Sequence, residues 1–174
     1  MKEYMTETSD LILKKAVFDD WQAMYQNIWS HEESAKYMLW KIIATEEQAK
    51  LRMKKCLEVQ EKSPFNWTVY EKKTGQAIGW AVVGEIEPGV FEDQGIAIGP
   101  AFVNKGYGKQ IVNVIVDFLQ NDLNAKKVIF SYRSNNIAAK KMLEACGFVY
   151  SHSIQKVDKS TGREYILEYV AKKL

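Results

Sequence analysis

Apolar positions along the chain follow two periods, one helical and one alternating, and the switches between them mark out the elements. In TEEQAKLRMKKCLEVQEK (45–62), Ala49, Met53, Cys56 and Leu57 fall on one helical face, and Thr45 with Gln48 has capping-box spacing. Pro64 stops that helix. FNWTVYE (65–71) and AIGWAVVGEIE (77–87) are rich in aromatic and β-branched residues and flank the turn KKTGQ, which predicts an antiparallel hairpin. Upstream, LILKKA (11–16) predicts a strand, and DDWQAMYQNIW (19–29) a helix capped by Asp19 or Asp20.

Beyond the turn PGV, FEDQGIAI (91–98) predicts a short strand leading into VNKGYGKQIVNVIVDFLQ (103–120), where Ile111, Val112, Ile115, Phe118 and Leu119 form one apolar stripe. KKVIFSYR (126–133) predicts the next strand. NNIAAKKMLEACGF predicts a helix closed by Gly147, and FVYSHSIQK with REYILEYVA a terminal hairpin across VDKSTG. Strand, helix, strand in the middle segment requires a parallel crossover, whereas the flanking hairpins are antiparallel. The expected fold is therefore α/β with a mixed sheet of about seven strands and about four helices. With no repeat, low-complexity tract or linker, residues 1–174 are expected to form a single domain.

Composition narrows the partners. Lysine and arginine number 24 against 22 aspartates and glutamates, a balance that gives no electrostatic reason for a nucleic-acid or membrane partner. MKEYMTETSDLILKK lacks an apolar leader segment, and no run approaches the ~20 apolar residues of a membrane span, so a cytoplasmic location is expected. Cys56 and Cys146 stand apart without metal-ligand spacing, so neither a disulfide nor a metal site is expected.

The candidate chemistry begins at Gly106 and Gly108. Glycine is a poor helix former, and its use where a helix starts implies a positive φ or a close approach to the backbone. Free N–H groups at a helix N-terminus, aided by its dipole, bind phosphate oxygens, and Lys105 and Lys109 flank this turn. For a bare GxG an ordinary tight strand-to-helix turn is the better explanation, so the context of the motif has to decide. The competing phosphate motifs fail: GxxxxGK[ST] is absent, and Ile111 occupies the third glycine position of GxGxxG.

IAIGPAFVNKGYGKQIV followed about thirty residues later by NNIAAKKMLEACGF resembles the GNAT superfamily of acyl-CoA-dependent N-acetyltransferases. Asn136 to Phe148 is similar to the N-x-A-[SA]…LE-x-x-GF pattern of the branch typified by ribosomal-protein N-terminal acetyltransferases, and with YMLW…TEEQA the resemblance covers nearly the whole chain. It implies a GNAT-like fold and acetyl-CoA as cosubstrate. The coenzyme A pyrophosphate is then expected on Val103, Asn104, Lys105, Gly106, Tyr107, Gly108 and Lys109, and the pantetheine arm along Ile96, Ala97 and Ile98. Asn136 is expected to contact the cofactor, a role compatible with capping its helix. The chain departs from the family pattern at Val103, where Gln or Arg is common, at Leu143, where many members carry a tyrosine acid, and at Ala139, where relatives often carry serine. A thiol of pKa near ~8.5 can nevertheless leave as thiolate at neutral pH.

The reaction the resemblance implies is direct attack of a primary amine, a protein N-terminal α-amine or a small-molecule amine, on acetyl-CoA. Glu92 and Asp93 are the candidate bases. Successive strand residues face opposite ways, so one of the pair is expected in the cleft unless a bulge intervenes, with Glu92 favoured. Trp29, Tyr37 and Trp40 are the candidate acceptor-binding residues, with His31 and Trp67 in neighbouring segments and Glu85 and Glu87 available to a cationic acceptor. The missing acid at Leu143 keeps a non-catalytic acyl-CoA-binding domain as the alternative. The chain is expected to be a monomer or homodimer.

Overall fold

The computed structural model describes residues 4–38, 40–159 and 161–174; Leu39 of the YMLW stretch and Ser160 of the VDKSTG turn lie outside the described residues. In chain order the elements are β1 (Thr6–Glu7), β2 (Leu11–Lys14), α1 (Trp21–Met24), α2 (Glu32–Ala35), α3 (Glu46–Lys62), β3 (Asn66–Glu71), β4 (Ala77–Glu87), β5 (Val90–Ile98), α4 (Tyr107–Leu123), β6 (Lys127–Arg133), α5 (Ile137–Ala145), β7 (Val149–Val157) and β8 (Glu164–Lys173). The strands make one sheet in the order β1-β2-β3-β4-β5-β6-β8-β7. Eight strands stand where the pattern predicts about seven, because two-residue β1 pairs with β2 and is too short to show a period. No helix of the described residues is long and apolar enough to cross a membrane.

Alternation along the strands sends side chains into two cores, one on each face of the sheet. Trp67, Val69, Ala81 and Val83 meet Ile111, Ile115 and Leu119 of α4 on one face. Tyr70 and Ala77 meet Trp21, Met24 and Ile28, with Ala49 and Met53 of α3, on the other. The predicted stripe of α4 is buried in full, and Val116 joins it. Thr45 caps α3 through its hydroxyl, which accepts the Gln48 N–H at 3.3 Å, while the Gln48 amide oxygen reaches back to the Ala44 N–H at 3.1 Å.

The single helix expected over 19–29 is instead a succession of short turns: a 3₁₀ turn (Phe18–Asp20), α1 and a π turn (Tyr25–Trp29). Its entry also differs. Val17 occupies the cap position, and Asp20 acts from inside the turn, its carboxylate accepting the Val17 N–H at 2.8 Å and the Tyr70 hydroxyl. That second bond ties the carboxylate to β3, a tertiary anchor that local sequence does not announce. At the other end of the chain, Gly147 closes α5 at φ +84°, with the Phe148 N–H returning to the Leu143 carbonyl at 3.1 Å.

The break in the sheet lies between β5 and β6. They are parallel neighbours only at Val90↔Lys127, Phe91↔Val128 and Glu92↔Ile129, after which β5 stays with β4 and β6 stays with β8. Val82 pairs with Gly95 and Val83 with Asp93, so Gln94 is an extra residue in β5, a bulge at the point of divergence. A bulge bends its strand and strengthens its twist, which carries β5 away from β6 and leaves backbone groups of 93–98 facing an opening.

Candidate active site

A cavity of about 880 Å³ occupies this opening. Its walls come from both faces of the sheet: Met24, Arg52, Cys56 and Trp80 on the α3 side, and Phe130, Ala139, Met142 and Leu143 on the α5 side. The opening therefore runs through the sheet, and this changes the expectation for the two acids. Glu92 and Asp93 still alternate, yet both line the cavity. Asp93 stands opposite Val83, which is packed with α4, and Glu92 opposite Gly84 on the other face.

Asp93 is held by the bulge, its Oδ1 accepting the Gly95 N–H at 2.9 Å. Burial pushes its carboxyl up to about 7; the Gly95 N–H opposes the rise and the charge of Glu92 adds to it. A carboxylate that titrates near neutrality in a cavity wall is matched to proton transfer at physiological pH.

The glycine turn lies beside the cavity, outside its walls. Gly106 caps α4 at φ +78°, with nothing within 4 Å of the place a Cβ would take, and Asn104 is also left-handed at φ +62°. Gly108 has a different reason to be glycine: a Cβ there would sit 2.6 Å from Met142 Sδ, so the residue lets α4 close on α5. The Gln110 N–H returns to the Gly106 carbonyl at 3.1 Å, and among the described residues no protein acceptor meets the N–H groups of 103–109. That row of unmet donors at a helix start fits a diphosphate.

Lys105 and Tyr107 turn away from that surface. The Tyr107 hydroxyl donates to Glu71 Oε1 at 2.8 Å, and Lys105 Nζ stands 3.6 Å from the same oxygen. Glu71 is buried at 3 % exposure, and its carboxyl is held below the usual range, chiefly by the Tyr107 hydroxyl. The end of β3 thus anchors the turn. Asn136 caps α5, its Oδ1 accepting the Ala139 N–H at 3.2 Å, and also lines the cavity.

Trp29, Tyr37, Trp40, Ile96 and Asn136 line one cavity with the two acids, whereas Ala97 and Ile98 continue along β5 outside its wall. Trp67 is fully buried in the α4 core with its indole N–H on the Tyr4 carbonyl at 2.8 Å, and His31 Nε2 lies 2.7 Å from the Gln26 carbonyl. Neither reaches the site. Glu85 secures the β4–β5 turn by accepting the Gly89 N–H at 2.8 Å. Leu143, 2 % exposed, and Ala139 present no proton donor to the cavity. The sequence reading missed Arg52, whose signal was available: it sits one position before Met53 on the buried stripe of α3, where a charge is out of place.

A sheet split beside a helix start with unmet N–H groups, and a near-neutral carboxylate at the fork, make a slot suited to a phosphorylated ligand and to proton transfer. The family model for the acetyltransferase (GNAT) domain matches residues 10–149, and the chain belongs to that family. It is an acetyl-CoA-dependent N-acetyltransferase, with acetyl-CoA as cosubstrate. Its fold is shared by solved structures of low identity. These include a GNAT-family acetyltransferase from Bacillus anthracis (18% identity, TM-score 0.83, 98% of each chain) and the ribosomal-protein-S5-alanine acetyltransferase from Vibrio fischeri (18%, 0.78, 98% of this chain and 97% of that one). A third is the spermidine N-acetyltransferase from Vibrio cholerae with CoA and spermine (19%, 0.75, 95% of this chain and 96% of that one). Among curated proteins, none matches this sequence.

Proposed function

We propose that the amine acceptor enters from the α3 face, meets the acetyl thioester in the gap between β5 and β6, and gives up its proton to Asp93. The observation that carries this reading is the position of Asp93, at the fork of the sheet and titrating near 7. The N–H groups of 103–109 would hold the pyrophosphate, the free edge of β5 over 96–98 the amide arm, and Asn136 the carrier near α5. When bound, acetyl-CoA supplies an acetyl group activated as a thioester.

The two acids divide the work that the sequence assigned to one. Glu92, on the acceptor face, draws the ammonium in; Asp93 takes its proton. An α-amine of pKa near ~8 lies about one unit above Asp93, whereas a lysine-like amine near ~10.4 lies more than three above it, so the base suits an α-amine better. Trp29, Tyr37 and Trp40 form part of the acceptor's side of the cavity. With Leu143 and Ala139 offering no proton, the thiol departs as thiolate.

The test is thiol release from acetyl-CoA with a panel of peptides and small amines, read against pH. For wild type, kcat/KM is expected to rise with pH through a midpoint near 7, because the base works only when deprotonated. Asp93→Asn should remove that limb and lower kcat by about 10²–10⁴-fold. Glu92→Gln should raise KM for the amine and move the limb to lower pH, since the charge that raises the Asp93 pKa is gone. An unchanged profile in Asp93→Asn would overturn the assignment.

A further inference from the structure

Opposite the acids, the same cavity is walled by a cation. Arg52 projects from α3 into a cluster of indoles, its guanidinium carbon 4.9 Å from the ring of Trp29, 4.5 Å from that of Trp40 and 5.9 Å from that of Trp80. Rings take up the flat faces of a guanidinium and leave its N–H donors, which lie in the plane, to be met by something else. The thiol of Cys56, one helical turn along, is a weak acceptor beside it. Among the described residues Arg52 has no carboxylate partner, although burial lowers its pKa and marks a poorly hydrated position. A second donor in this wall is also unmet: the buried Trp40 indole N–H has no partner among the described residues.

Apart from Cys56, no protein acceptor meets this partly buried guanidinium among the described residues, and because Arg52 lines the cavity an anionic ligand there can take its donors in place of water. Trp80 relates this group to the chemistry. Its ring lies against Arg52 on one side, and its Nε1 lies 3.6 Å from the place of a Cβ on Gly95, the residue that fixes Asp93. One indole therefore separates the guanidinium from the bulge. Lys55, also on the cavity wall, adds positive charge at the α3 end.

We infer that Arg52 is an oxyanion-binding residue of the acceptor site, and that the acceptor is an amine carrying a carboxylate or phosphate at its far end. The inference rests on the acetyltransfer reading and names the class of amine. Because an indole stands between the two poles, the oxyanion must be separated from the amine by a spacer longer than the single carbon of a free α-amino acid. Polyamines, which would put a second cation against Arg52, are disfavoured on the same ground.

The experiment uses short peptides with a free α-amine that end in a carboxylate or carry a phosphoserine, their C-terminal amides or unphosphorylated forms as neutral twins, and peptides of equal length with a lysine in place of the anion as cationic ones. Tryptophan fluorescence reads binding without turnover, and thiol release from acetyl-CoA reads transfer. The wild type should favour at least one anionic series over its neutral twin by about 10-fold to 100-fold, the gain of a charge-assisted bidentate contact. Preference within the series identifies carboxylate or phosphate as the recognised group. In Arg52→Gln that preference should vanish through KM with kcat retained, and Arg52→Lys should restore part of it. Equal binding of anions and neutral twins by wild type overturns the inference, as does an equal loss on both in Arg52→Gln. If Arg52→Gln does not fold, the wild-type comparison decides. Anion-selective fluorescence without thiol release would sustain the oxyanion site while refuting the transfer reading; transfer without anion preference would do the reverse.

Discussion

At the scale of single residues, the site is governed by a carboxylate placed where it is uncomfortable. Asp93 has a folded pKa of about 7 against an ordinary value of 3.8, so the folded protein holds its proton over a range where the unfolded chain has lost it. Stability from this residue is therefore present below the unfolded value and is lost as pH rises toward 7. Thermal melting of wild type and Asp93→Asn from pH 4 to 8 should show the difference growing in favour of the variant as pH rises. A constant difference would refute the raised pKa. The sequence offered Glu92 and Asp93 together, and alternation admits one of them to a cleft on one face of a regular strand. An opening through the sheet exposes both sides of β5, and Gly95, at φ +138°, is the residue in FEDQGIAI that signals the bulge. Arg52, by contrast, was passed over although a charge beside the apolar stripe of α3 was a signal within the sequence.

At the scale of elements, the turn before α4 was readable because its requirements are local, although the two glycines answer to different demands. Gly106→Ala forces a side chain into a left-handed conformation, which should cost about 1 kcal/mol of stability and raise KM for acetyl-CoA by displacing the N–H groups. Gly108→Val should instead act through Met142, lowering the melting temperature by forcing α4 from α5. Calorimetry beside acetyl-CoA titration separates the two effects. The tether from Glu71 to Tyr107 was invisible in sequence, since its partners lie 36 positions apart. Tyr107→Phe should loosen the turn and raise KM for acetyl-CoA several-fold, with kcat retained. The broken helix over 18–29 was misread for a related reason, its period being helical while Asp20 is committed to Tyr70.

At the scale of the whole molecule, the mixed sheet and its crossover followed from the order of periods, because helices on both faces demand the apolar pattern seen in α4 and α3. Coenzyme A at a hundred times its Kd should raise the melting temperature by about 5–10 °C, and Gly106→Ala should reduce that shift at equal ligand concentration. Removing side-chain volume from the α4 core has a purely structural effect: Ile115→Ala should lose about 2–5 kcal/mol by chemical denaturation.

The slot between β5 and β6 divides the inheritance of the protein as well as its volume. On the proposed reading, the turn that would grip the carrier and most of the side chains that would choose its recipient lie on opposite faces of the sheet, meeting along β5 and where Asn27 packs on Gly99. Substitutions at Tyr37, Trp40 and Arg52 would then change the recipient while the turn before α4 keeps its form, so one carrier grip can serve a succession of recipients.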